Sequence, residues 1–107
     1  MPSELPVNEV PEGAWLLDVR EQDEWDAGHI ADSVHIPMSE LMSRVDEVPK
    51  DRPIVVVCKV GGRSAQVAGY LERRGWADVH NLSGGLVTWV DAEQPLVTDS
   101  GAPPQVI

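Results

Sequence analysis

Two short stretches of the chain are apolar at nearly every position, residues 15–19 (Trp-Leu-Leu-Asp-Val) and residues 54–58 (Ile-Val-Val-Val-Cys). A structure-breaking residue precedes each, Gly13 in the first case and Pro53 in the second. An unbroken apolar run of strand length, without the alternation of a strand that has one wet face, marks a central parallel strand covered on both sides. Weaker strand patterns fall at 34–36 and 79–82, and helical patterns at 22–27, 39–48, 64–74 and 86–92. The helix after residue 58 is the best defined: Ser64 is placed to cap its start, Ala65, Ala68 and Leu71 share a face, and Gly75 is placed to end it. Strands alternating with helices predict a small α/β domain with a central, mostly parallel sheet and helices on both faces.

At 107 residues the chain has room for one core. The expected division is a domain over residues 1–96 and a flexible tail over 97–107, in which prolines mix with small polar residues and Leu96, Val97 and Ile107 are the candidates for local docking. A composition of 42% hydrophobic and 24% charged residues is that of a soluble globular protein, and the longest apolar run is far too short to span a bilayer. The N-terminus lacks the basic-then-apolar pattern of a secretory signal, which leads to the expectation of a cytoplasmic protein.

Charge and cysteine content narrow the chemistry. A formal net charge of −10 argues against nucleic acid or an anionic membrane as partner, since both need a clustered positive field. The acidic residues crowd into 21–26 and 40–47, where they read as solvated surface, and no metal or other cofactor is assigned. A single cysteine forms neither an internal disulfide nor a cysteine-based zinc cluster. His29, His35 and His80 have no metal-ligand spacing and are expected to make structural hydrogen bonds; the four tryptophans are expected in packing roles, with Trp89 a candidate for the site entrance.

The chemistry concentrates in Cys58-Lys-Val-Gly-Gly-Arg-Ser64. A thiol at the carboxyl end of a central parallel strand lies where open α/β sheets bind ligands, with the next helix aiming its N-terminus back at the sulfur. Gly61 and Gly62 let the backbone curl so that several N–H groups turn inward as a nest for a thiolate, persulfide or oxyanion. Lys59 and Arg63 add local positive charge. A lone cysteine ending an apolar strand is commonly only a small buried hydrophobe. The combination of thiol, glycines and cations within one short loop favours a functional thiol instead.

The chain resembles the rhodanese-homology family of single-domain sulfurtransferases from about Val7 to about Leu96. The resemblance rests on four blocks in order: Leu16-Leu-Asp-Val-Arg-Glu21; Glu24-Trp-Asp-Ala-Gly-His-Ile30 with His35-Ile-Pro37; Cys58-x-x-Gly61-x-Arg63-Ser64; and Leu82-Ser-Gly-Gly85-x-x-x-Trp89. It implies that Cys58 carries sulfane sulfur as a persulfide, from a donor such as thiosulfate or a small persulfide to cyanide, a thiol or a protein sulfur acceptor. Lys59, Val60, Gly61, Gly62, Arg63 and Ser64 would form the loop that binds the outer sulfur, with Asp18 and Arg20 as supports or as a simple internal ion pair. Two departures stand out: Ala31-Asp-Ser33 replaces a common Pro-Gly-Ala, and Glu93 stands where glycine is common.

Two other functions share parts of this pattern. Cysteine phosphatases and arsenate reductases also place a thiolate in an anion loop, but phosphatases put five residues between cysteine and arginine, and here Arg63 arrives one residue sooner. An inactive binding module of the same fold is the remaining alternative, disfavoured by the intact loop.

Overall fold

A computed structural model describes residues 3–107. Five strands form one sheet: β1 (Ser3–Leu5), β2 (Trp15–Asp18), β3 (Val34–His35), β4 (Ile54–Val57) and β5 (Val79–Leu82), in the order β1-β5-β4-β2-β3 with all neighbours parallel. Three α-helices lie between strands, α1 (Gln22–Ala27), α2 (Leu41–Arg44) and α3 (Gly62–Arg73), and α4 (Gly85–Asp91) follows β5. The central strand β4 is buried at all four positions, as its unbroken apolar run requires.

Because successive side chains of a strand point to opposite faces, β4 feeds two cores. Ile54, Val56 and Cys58 pack with Leu17 and Val19 against Val67, Ala68 and Leu71 of α3 and Leu41 of α2. Val55 and Val57 face the other way, against Leu82, Leu86 and Trp89. Full burial of each such aliphatic side chain contributes about 1.5–3 kcal/mol. Cys58 therefore belongs to the α3 side, one residue beyond the end of its strand.

Several expected elements differ in extent. The stretch 39–48 is not one helix: short 3-10 turns at Met38–Glu40 and Val45–Glu47 flank α2. Arg44 leaves helical geometry (φ −119°, ψ 13°), and Val48 is extended ahead of Pro49, as a residue before proline prefers. Leu41, Val45 and Val48 still reach the core. The segment Ser3–Leu5, which carries no strand pattern of its own, adds to the sheet beside β5.

Helices α3 and α4 end alike. Gly75 N–H bonds to Glu72 O and Trp76 N–H to Leu71 O after α3; Glu93 N–H bonds to Val90 O and Gln94 N–H to Trp89 O after α4. Such an ending needs a left-handed residue, which is Gly75 in one case and Glu93 (φ +61°) in the other. Asp32 (φ +66°) is the second non-glycine residue at positive φ among the described residues. Both departures from the family pattern thus keep the backbone turn and place a side chain where glycine costs less. Glu93→Gly is expected to raise stability by roughly 1 kcal/mol, about 4–8 °C in melting temperature, measured by thermal unfolding.

Near the C-terminus, Val97 makes an antiparallel bridge with His29, and Gln105 N–H donates to Ala27 O at 2.8 Å. Val106 packs on the second core, whereas Ile107 is exposed. No helix among the described residues is long and apolar enough to cross a membrane.

Candidate active site

The loop between β4 and α3 turns at Gly61, whose φ of +102° is open to glycine at little cost. Gly62 opens α3 with no positive φ, so one glycine makes the turn, not two. Ser64 is not the cap: Gly61 occupies that place, and Ser64 lies inside the first turn, fully buried. Its hydroxyl lies 3.2 Å from Cys58 Sγ, and Gly61 N–H donates to the same sulfur at 3.0 Å. Cys58 itself has no exposed surface.

Two opposed effects act on this thiol. Burial pushes it up, while hydrogen bonds from the Ser64 hydroxyl and from the N–H groups of Ser64, Gly61 and Val60 pull it down, and the net result is a thiol more acidic than a free cysteine. Donors converging on a sulfur at a helix start can equally hold a persulfide anion.

The cations beside the loop differ in freedom. Arg63 makes a bidentate pair with Glu24 of α1, at 2.7 and 2.9 Å, and the guanidinium holds that carboxyl down at about 2. Glu24 is itself fixed by its place in the capping box of α1 with Glu21. Its partner's charge is therefore largely neutralised. Lys59 is half-buried, and its carbonyl is held by Val87 N–H at 3.1 Å, next to the bond from Leu86 N–H to Cys58 O at 2.9 Å. The start of α4 thus grips the backbone of the loop. Val60 is exposed at its tip.

Asp18 and Arg20 form a fully buried pair, with two guanidinium nitrogens on the carboxylate and Arg20 Nη2 also donating to Gly28 O at 2.7 Å. The pair closes the segment between β2 and the end of α1. Arg20 also helps to hold down Glu24, the partner of Arg63. Trp89 lies on the sheet face opposite Cys58. It packs in the second core and its indole N–H donates to Pro95 O at 2.9 Å. The histidines make structural hydrogen bonds: His29 with Trp25 O, His35 with Arg20 O, and His80 with Ser3 and Asp78. The Trp25 ring stacks with the rings of both His29 and His35.

Three residues of this environment escape a reading of the loop alone. Glu24 is visible in sequence as part of the Glu-Trp-x-x-Gly-His-Ile block, and Gly85 as the second of a glycine pair. The third is Asn81, whose Oδ1 lies 2.5 Å from Ser64 Oγ. An asparagine between the buried Val79 and Leu82 of β5 was the available signal.

The comparisons with known proteins agree with this geometry. The model of the rhodanese-like domain matches residues 6–92. A sulfurtransferase of Allochromatium vinosum is 38% identical over 90 residues, covering 84% of each chain. The thiosulfate sulfurtransferase GlpE of Pseudomonas syringae pv. syringae is 38% identical over 78 residues, 73% of this chain and 74% of that one. Among solved structures, a rhodanese-related protein of Thermoplasma volcanium superposes with a TM-score of 0.83 at 31% identity, over 89% of this chain and 97% of that one. With fold, loop and sequence in agreement, this chain belongs to the rhodanese-like family of sulfurtransferases.

Proposed function

We propose that this protein carries sulfane sulfur as a persulfide on Cys58, taking it from thiosulfate or a small persulfide and handing it to a nucleophile such as cyanide or a thiol. The observation that carries this reading is a single buried sulfur held by Gly61 N–H and the Ser64 hydroxyl at the start of α3. In the first step the Cys58 thiolate attacks the outer sulfur of thiosulfate; the new S–S bond forms as the old one breaks, and sulfite leaves with the electron pair. In the second, the acceptor attacks the outer sulfur of the persulfide and Cys58 leaves as thiolate. Cyanide then departs as thiocyanate, and a thiolate acceptor as a persulfide. The same donors stabilise the anionic sulfur in both steps, and loss of one such donor costs on the order of 2.7–4 kcal/mol of barrier where catalysis depends on it.

With no second cysteine in the chain, the persulfide has no internal thiol to resolve it, and the acceptor comes from outside, a protein thiol included. A reducing compartment such as the cytoplasm suits a thiol that must stay free. The direct test is intact mass after incubation with thiosulfate. A gain of one sulfur that dithiothreitol removes is the expected result, and an unchanged mass with every tested donor overturns the proposal.

Donor choice gives a second measurable outcome. Since Glu24 already neutralises Arg63, Lys59 carries the uncompensated charge of the loop. Lys59→Glu is expected to lower kcat/KM for thiosulfate roughly 5- to 10-fold at low salt, with a neutral donor affected less. Steady-state rates with both donors at two salt concentrations check this, and equal losses for the two donors would count against selection by charge.

A further inference from the structure

Ser64 has one hydroxyl proton and two acceptors within reach, Cys58 Sγ at 3.2 Å and Asn81 Oδ1 at 2.5 Å. Cys58, Ser64 and Asn81 are all buried, at 0%, 0% and 2% exposure, so water does not supply what the protein leaves unpaired. The amide of Asn81 has a fixed orientation. Its Nδ2 donates to Gly61 O at 3.1 Å and to both carboxylate oxygens of Glu4 at 3.0 Å, and all of these atoms only accept. Its oxygen must therefore face Ser64. Glu4 stands directly opposite Asn81 in the pairing of β1 with β5.

We propose that Asn81 is a positioning residue for sulfur transfer, competing with Cys58 for the Ser64 proton and thereby holding the resting site in its thiol form. In that form the chain of bonds is complete: the thiol donates to Ser64 Oγ, and the Ser64 hydroxyl donates to Asn81 Oδ1. When the sulfur is anionic the Ser64 proton turns to it, and Oδ1 is left buried without a donor, which is costly. Asn81 thus moderates the acidity that Ser64 and the loop N–H groups confer on the thiol. The charged groups around the sulfur are Arg63 with its partner Glu24, Lys59 next in the chain, and Glu4 behind Asn81. None of them replaces the lost bond to Oδ1.

The proposal rests on Cys58 being the sulfur carrier, yet its test does not. The rate of alkylation by iodoacetamide, followed against pH, reports the thiol alone, whereas the mass gain with thiosulfate reports the transfer. The wild-type midpoint is expected below the free-cysteine value of about 8.5. Asn81→Ala should move it further down, by roughly half to one pH unit, in the protein that keeps Ser64. In a Ser64→Ala background the same substitution should lack that downward shift, because no proton remains to be shared. Any effect through the Gly61 carbonyl appears in both backgrounds and cancels in the difference.

Equal shifts in the two backgrounds, or an upward coupling, overturn the proposal. Should Asn81→Ala not fold, Asn81→Leu, of similar size and without the acceptor oxygen, gives the second reading. The midpoint should again fall only when Ser64 is present. An unchanged midpoint in a folded Asn81→Leu that keeps Ser64 would likewise reject the proposal.

Discussion

Cys58→Ser is expected to fold and to transfer no sulfur. The serine oxygen can accept from Gly61 N–H in the same buried position, so the network that shapes the loop survives in outline. A buried hydroxyl in place of a thiol costs on the order of 1–3 kcal/mol, a melting temperature lower by about 5–20 °C and still cooperative. Chemistry is another matter. A hydroxyl cannot hold a sulfane sulfur, so the mass gain with thiosulfate should vanish and turnover should drop at least about a thousandfold. A folded variant that retains wild-type turnover would remove Cys58 from the mechanism.

Gly85→Ala should be the most disruptive small substitution in the chain, although Gly85 makes no contact with the sulfur. A Cβ there would lie 2.4 Å from Lys59 O and 2.5 Å from Cys58 O, both backbone atoms with nowhere to go. The residue also has a φ of +64°. Left-handed strain of about 1–2 kcal/mol and overpacking of about 1–3 kcal/mol together predict a loss of roughly 2–5 kcal/mol. Relief by moving the loop would break the bonds from Leu86 and Val87 N–H, so sulfur transfer should fall with stability. Gly62→Ala is the control. No atom lies within 4 Å of its added Cβ, and alanine at a helix start should leave both melting temperature and transfer near wild type. Similar behaviour of the two variants, by thermal unfolding and thiosulfate turnover, would contradict the grip of α4 on the loop.

The parts of this molecule legible in sequence are those with local causes. The apolar run of β4 announced a doubly covered parallel strand, and α1 begins and ends where its pattern places it, at Gln22 and Ala27. The cysteine, the Gly61 turn and Gly75 at the end of α3 followed from residue type and spacing. What escaped was set by contacts distant in sequence. Ser64 read as a cap because serine commonly caps, yet its hydroxyl turns inward to the sulfur and to Asn81. Arg63 read as added positive charge beside the thiol, and its partner Glu24 was not visible because it lies 39 residues away. Strand β1 has no pattern of its own and exists through its pairing with β5.

That pairing has a consequence for how the protein is made. The strand containing Ser3 to Leu5 is synthesised before its partners, His80 to Leu82, which stand 77 positions later. The sheet interior can assemble from β2 and β4 before then, while contacts of such long sequence separation close late and slowly. Glu4 reaches Asn81 only at that last step. A nascent chain whose inner strands have already paired would therefore hold Cys58 in an unfinished site, and acquire the final hydrogen bonds around it only once β5 has emerged and met β1.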